Sequence, residues 1–167
     1  MLLDGDDWQA KFRDFQTEAW RLETLPQYLV QQEAEEFAAF KAGARFPGPY
    51  VDSWTEMVST RNVGRVHIVR RPLSAYLRFE FERYYQHQAS AGEDIRILDL
   101  TDRPNPLPDD VGDYWMFDRS TVVFMRYEDD GRQIGRELYE GDPAPFIEYQ
   151  RLAIAQSVPF LEYVKSE

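Results

Sequence analysis

Two histidines, His67 and His87, stand among thirty acidic residues, and these are the groups that could move protons or hold a metal. The histidines lack the H-x-x-x-H spacing that puts two imidazoles on one helix face for zinc. Neither has a serine and a carboxylate that spacing alone joins into a nucleophilic triad. His67 falls on the outward side of an expected strand. His87 lies near a helix end, where an imidazolium suits the dipole. Both read as surface or partly satisfied side chains. Zero cysteines remove disulfides, thiolate catalysis and cysteine-based metal centres together. "EDDG" at 128–131 and "DGDD" at 4–7 lack the alternating oxygens and closing glutamate of a calcium loop. No glycine-rich loop follows a strand to cradle phosphates, the next glycine after the first β-type run being Gly92. The expectation is no cofactor and no metal.

The densest polar stretch is "RRPLSAYLRFEFERYYQ", residues 70–86. Glu80 could do acid–base work if it were buried in a cleft. An unpaired buried charge is too costly, so Glu80 is expected to pair with an arginine such as Arg96 or Arg65. Glu93 and Asp94 read as solvated cap residues ahead of a strand. In sheets with parallel strands, ligands usually enter the crevice beyond the strand ends. Tyr76, Arg78, Arg96, Trp115 and Asp118 are the polar or amphipathic residues expected there, and with Glu80 they form the candidate ligand- or partner-binding set. Arg78, Tyr76, Tyr84 and Tyr85 are also of the types that dominate binding hot spots.

These residues need elements to hold them. Trp8, Phe12, Phe15, Ala19 and Leu22 recur at helical spacing, and the first forty residues read as helix, interrupted by Thr24 and Pro26. Glu33 to Lys41 makes a second helix with Gly43 as its stop. "FPGPY" breaks the chain, and Trp54, Met57 and Val58 give a short helical face. "RVHIV" then alternates, with Val66 and Ile68 inward and Arg65 and His67 outward. Pro72 starts the next helix, whose apolar stripe is Leu73, Leu77, Phe81 and Tyr84; Gly92 caps it, and "DIRIL" is a second strand. This strand–helix–strand run has the length of a right-handed crossover. A proline- and aspartate-rich loop follows, then "YWMF", "STVVFMRY" and "QIGRELY" as β-type runs, the last two joined by the Asp-Gly turn. Asp142 and Pro143 start a last helix that ends before Pro159. The fold class is α+β: a mixed sheet of about five strands with a crossover helix, and helices at both termini. Residues 1–167 read as one domain, with a helical part at 1–60 packed on an α/β core at 61–167.

Composition sets the outer bounds. Hydrophobic residues at 43% and aromatics at 15% argue for a packed core. A chain of 167 residues buries roughly 70% of its unfolded surface. No stretch approaches the ~20 apolar residues of a membrane span, and the acidic start is unlike a signal peptide. A cytoplasmic protein is expected. The net charge of −11 repels phosphate backbones, so direct nucleic-acid binding is not expected, whereas a basic protein partner is. A homodimer is compatible with the sequence.

Four segments carry a resemblance: "FRDFQTEAWRLET", "RVHIVRRPLSAYLRFEFE", "AGEDIRIL" and "DYWMFD"; the closing "RLAIAQSVPFLEY" also fits. Together they resemble an uncharacterised actinobacterial family, a domain of unknown function. Its members often sit beside genes for helix-turn-helix regulators and small developmental-regulator-type proteins. The resemblance covers nearly the whole chain and implies a regulatory setting but no activity. The order of elements is also similar to one half of a phospholipase D-type domain. Aligning Asp118 with the aspartate of that motif puts Val111 where its histidine stands and Asp113 where its lysine stands. Valine cannot attack phosphorus and an aspartate repels phosphate, so that likeness implies a repurposed version.

Two functions follow as expectations. The favoured one is a non-enzymatic regulatory interaction or ligand-sensing module, a pseudo-enzyme working with a helix-turn-helix regulator. The alternative is a small-molecule enzyme with a polar pocket at the strand ends. If the 70–86 helix is a contact face, Arg78→Ala weakens binding while leaving the fold nearly intact.

Overall fold

The computed structural model describes residues 1–166. Helix α1 (Gly5–Asp14) starts at Asp4, whose side chain accepts the Asp7 N–H, and it stops at Phe15. The helical spacing of Phe12, Phe15, Ala19 and Leu22 therefore does not describe one helix. Ala19–Glu23 is strand β1 instead, and its true period is two: Trp20 and Leu22 face one side, Ala19, Arg21 and Glu23 the other. The break is enforced from far along the chain. The Asp118 carboxylate accepts the backbone N–H groups of Gln16, Thr17 and Glu18, and the Arg61 guanidinium takes the carbonyls of Phe12 and Phe15. The orphan groups of the helix end are thus satisfied without another helical turn.

The sheet has seven strands, against about five expected, in the order β6-β5-β4-β1-β2-β3-β7. β2 (Val63–Val69), β3 (Asp94–Asp99), β4 (Tyr114–Phe117), β5 (Thr121–Tyr127) and β6 (Gln133–Leu138) are the anticipated runs. β1 and the two-residue β7 (Val158–Pro159) are the additions. β1, β2 and β3 run parallel, and β4 returns antiparallel on the other side of β1. β1 therefore sits in the middle of the sheet, so residues 1–60 are not a helical layer resting on a separate core. β2 is buried along its whole length. Arg65 and His67 do not face outward to solvent.

The crossover helix runs from Ala75 to Ala91 as α4 (Ala75–Glu80), a π turn (Phe81–Tyr85) and α5 (Gln86–Ala91). Ser74, not Pro72, starts it, its hydroxyl accepting the Leu77 N–H. Gly92, at φ +127°, ends it as expected. This helix, α1, α2 (Ala34–Lys41) and α3 (Ser53–Val58) cover one face of the sheet, with α7 (Phe160–Lys165) packed beside α5. α6 (Ala144–Gln156) covers the other face, Ala153 packing among Trp20, Leu22, Val66, Leu98 and Met116. Among the described residues no helix is long and apolar enough to cross a membrane.

Candidate functional site

The parallel register sets Arg21 beside Arg65 and Glu23 beside His67. All four side chains project to the face covered by the crossover helix, in strands otherwise built of apolar residues. From above, the helix contributes Tyr76, Glu80 and Tyr85. Glu93 and Asp113 enter from just before β3 and just before β4. The result is a buried polar network that runs from the carboxyl end of β1 across the middle of β2 to the amino end of β3, beside the junction where β4 lies antiparallel to β1.

The contacts are specific. Arg65 donates from Nε to Glu93 at 2.5 Å and from a terminal nitrogen to Glu23 at 3.0 Å. Trp54 Nε1 donates to the other Glu93 oxygen. Arg21 bonds Asp113 at 3.1 Å and the Tyr127 hydroxyl at 2.9 Å. Asp113 also takes the Tyr28 hydroxyl and both donors of Thr24, which anchors the segment leaving β1. Tyr85 donates to Glu23 at 2.7 Å and lies 2.9 Å from His67 Nδ1. Gly131, at φ +95°, lets that segment dock on the β5–β6 turn, because a Cβ there would meet the Gln27 carbonyl at 2.5 Å.

Above the network lies a cleft of about 350 Å³, lined by Arg21, Glu23, Tyr28, Glu33, Tyr76 and Glu80 among others. It shares Tyr28, Glu33 and Tyr76 with an adjoining groove of about 580 Å³ whose walls include Leu29, Val30 and Phe37. The Tyr76 hydroxyl donates to Glu33 at 2.8 Å. Burial would raise the Glu23 carboxyl, but the charges of Arg21 and Arg65 outweigh it and hold it at about 2. Glu80 shifts the other way, raised by burial and by the neighbouring charge of Glu23. Burial lifts Glu33 to about 7, against the hydrogen bond from Tyr76, with the charges of Glu23 and Glu36 adding and that of Arg65 opposing.

Glu33 gives a pH dependence of defined sign. Its folded value lies above the ordinary value of 4.5, so between about 4.5 and 7 the folded chain binds the extra proton. Stability contributed by that proton is complete below this window and lost as pH rises through it. Glu23 contributes the opposite slope only below 4.5, where its unfolded form titrates. Melting temperature is expected to fall from pH 5 to pH 7.5, and the fall to be shallower in Glu33→Gln. Equal slopes in the two proteins would show that Glu33 is not desolvated.

The six residues named from sequence do not form one site. Tyr76 and Glu80 meet in the cleft. Glu80 has no arginine partner among the described residues, contrary to expectation: Arg65 is engaged by Glu23 and Glu93, and Arg96 lies on the α6 side, donating to Ser157. Trp115 is buried behind the network, opposite Arg21 in the register and within 5.8 Å of its guanidinium. Asp118 sits at the far end of β1, and the three backbone N–H groups it accepts, outweighing desolvation, hold it at about 2. Arg78 is exposed and binds the Leu73 carbonyl of its own helix start. Arg78→Ala is expected to change unfolding free energy by less than about 0.5 kcal/mol in a denaturant titration. A larger loss would mark an internal role.

The residues that sequence reasoning missed are Arg21, Glu23, Tyr28, Glu33 and Asp113, and it read His67 and Glu93 as surface groups. His67 is fully buried, and Glu93 is 3% exposed. The available signal was the alternation of "AWRLE", whose arginine and glutamate fall on one face of an apolar strand. Asp94 and His87 are not in the network; Asp94 is exposed beside Arg96, and His87 lies against the Tyr50 ring.

In a comparison with known families, a family described as "Domain of unknown function (DUF6879)" aligns with residues 6–165. No curated protein matches the chain.

Proposed function

The chain belongs to the DUF6879 domain family, and from its own geometry we propose that it is a ligand-sensing module, with the cleft over Glu33, Tyr76 and Glu80 as its binding site. One observation carries this reading: buried polar groups converge beneath a cleft that opens directly into an apolar groove. Binding sites for small molecules combine mostly apolar walls with a few fixed polar groups. The ligand that fits has a polar end directed at Glu33, Tyr76 and Glu80 and an apolar body along Leu29, Val30 and Phe37. The acidic exterior, net −11, suits a basic protein partner such as a helix-turn-helix regulator, and charge complementarity would speed their encounter.

A panel of small metabolites screened by melting-temperature shift tests the cleft. A stabilising compound should bind about tenfold more weakly to Tyr76→Phe, which loses the bond to Glu33, a loss of about 1.4 kcal/mol. A compound that binds both proteins equally is bound elsewhere and contradicts the reading. Capture of a helix-turn-helix regulator from the natural host should weaken with salt; absence of binding at low salt sinks the partner.

A second reading, a small-molecule enzyme, is favoured by one observation. Glu33 is a cleft carboxyl lifted to about 7, in the range that suits a general acid or base. Turnover abolished in Glu33→Gln, with a pH profile bending near 7, would decide for it.

A further inference from the structure

We propose that the floor of the cleft is a site for one divalent transition-metal ion, held by Glu23, His67 Nδ1 and Glu80. One ligand atom from each of the three lies within 4.8 Å of the others. Nδ1 stands 3.6 Å from Glu80 Oε1 and 3.9 Å from Glu23 Oε1. Tetrahedral ligands at about 2.1 Å from zinc are themselves about 3.4 Å apart, so the cluster needs only a modest contraction.

The histidine is already set for this role. Its Nε2 lies 2.8 Å from the Leu25 carbonyl, which can only accept, so Nε2 carries the hydrogen and Nδ1 is the nitrogen turned toward the carboxylates. A backbone carbonyl on the far nitrogen is the usual support of a metal-binding imidazole. The remaining hydrogen bonds do not balance. Tyr85 has one hydroxyl proton and gives it to Glu23, leaving its oxygen facing Nδ1 lone pair to lone pair. Glu80 Oε1 is buried with no hydrogen-bond partner among the described residues, and Glu80 as a whole is 7% exposed. The Tyr85 proton is the one that these hydrogen bonds place among Glu23, Nδ1 and Glu80 Oε1, and one cation at their centre would engage all three as ligands.

The wider charge points the same way. Arg65 and Arg21 are already engaged with Glu93, Glu23 and Asp113, so neither guanidinium is left to serve Glu80. One nitrogen and two carboxylates suit zinc, manganese, cobalt or iron(II), whereas calcium takes six to eight oxygens. His67 has no exposed surface, which leaves no room for an organic ammonium beside Nδ1. Loading requires the Tyr85 hydroxyl to leave Nδ1, either turning away or serving as a fourth oxygen ligand. Tyr85 closes the π turn, an irregularity often found where a helix presents a functional side chain.

This inference rests on the cleft only as the ion's way in, so its failure and that of the ligand reading are separable. The experiment titrates the chelator-treated full chain with Zn²⁺ alone and with Co²⁺ alone. Calorimetry should give one ion per chain, and Co²⁺ should develop visible absorption bands of a nitrogen–oxygen site. Glu80→Gln should weaken binding at least tenfold, while Glu128→Gln, in the exposed turn, should not; circular dichroism checks that each variant is folded. Undiminished Zn²⁺ binding with an unchanged Co²⁺ spectrum in folded Glu80→Gln overturns the site. Failure of both ions to bind the parent chain overturns it too, even if a metabolite still stabilises the protein and upholds the cleft.

Discussion

Arg65→Met is expected to lower the unfolding free energy by about 3–5 kcal/mol, the usual cost of removing one partner from a buried ion group. The guanidinium joins Glu23 and Glu93, and both carboxylates are almost wholly buried. It also lies over the Tyr85 ring at 5.1 Å, so methionine replaces the stem but not the charge. Two carboxylates would then share a dry pocket with no guanidinium between them. The fold can relieve this only by protonating them or by admitting water. Adding Glu93→Gln should recover part of the loss, because one orphaned charge disappears and the amide can still accept from Trp54. Urea titrations of the two variants give the comparison. A loss below about 1 kcal/mol in Arg65→Met would place the network in a solvated, surface-like setting.

Phe79→Ala is expected to cost about 3–5 kcal/mol, through lost burial and the cavity left behind. Phe79 has no exposed surface, and the rings of Phe37, Phe40, Phe46, Tyr76 and Tyr84 all lie within 6.2 Å of it, centre to centre. The consequence reaches the cleft. Phe37 and Phe40 are the face by which α2 docks, and Glu33 immediately precedes that helix. Loosening the aromatic cluster therefore loosens the wall that presents Glu33, and ligand binding should weaken along with stability. The ion pair of Arg83 with Glu36, at 2.6 Å, remains as a tether. Limited proteolysis between residues 30 and 50 reads the local effect. A destabilised but uncut segment, with cleft binding retained, would separate the cluster from the site.

Much of the architecture was legible from local pattern. Val66 with Ile68 and Ile95 with Ile97 announce two strands by alternation, Gly92 ends the helix between them, and Asp129 to Gly131 turns the hairpin. β1 was not, and the reason is physical. Its residues satisfy two periods at once, and the choice between them is made by Asp118 and Arg61, far away in sequence. Once β1 is missed, β2 reads as a strand with a solvent face instead of the centre of a sheet. Arg65 and His67 then look exposed. The same omission hid the site, because Arg21 and Glu23 supply its floor. Tyr76 and Glu80 stand out in the sequence as an odd polar pair beside a core stripe, but the arginine partner expected for Glu80 is not there: Arg65 is engaged by Glu23 and Glu93, and Arg96 lies on the α6 side.

The most direct test of the cleft is a crystal structure of the protein purified from its natural host without dialysis. Electron density for a bound molecule is expected against Glu33, Tyr76 and Glu80, with its apolar part along Phe37. Density held instead in a separate groove of about 570 Å³ lined by Arg71, Arg78 and Phe81, or a cleft closed by its own side chains, would contradict that reading.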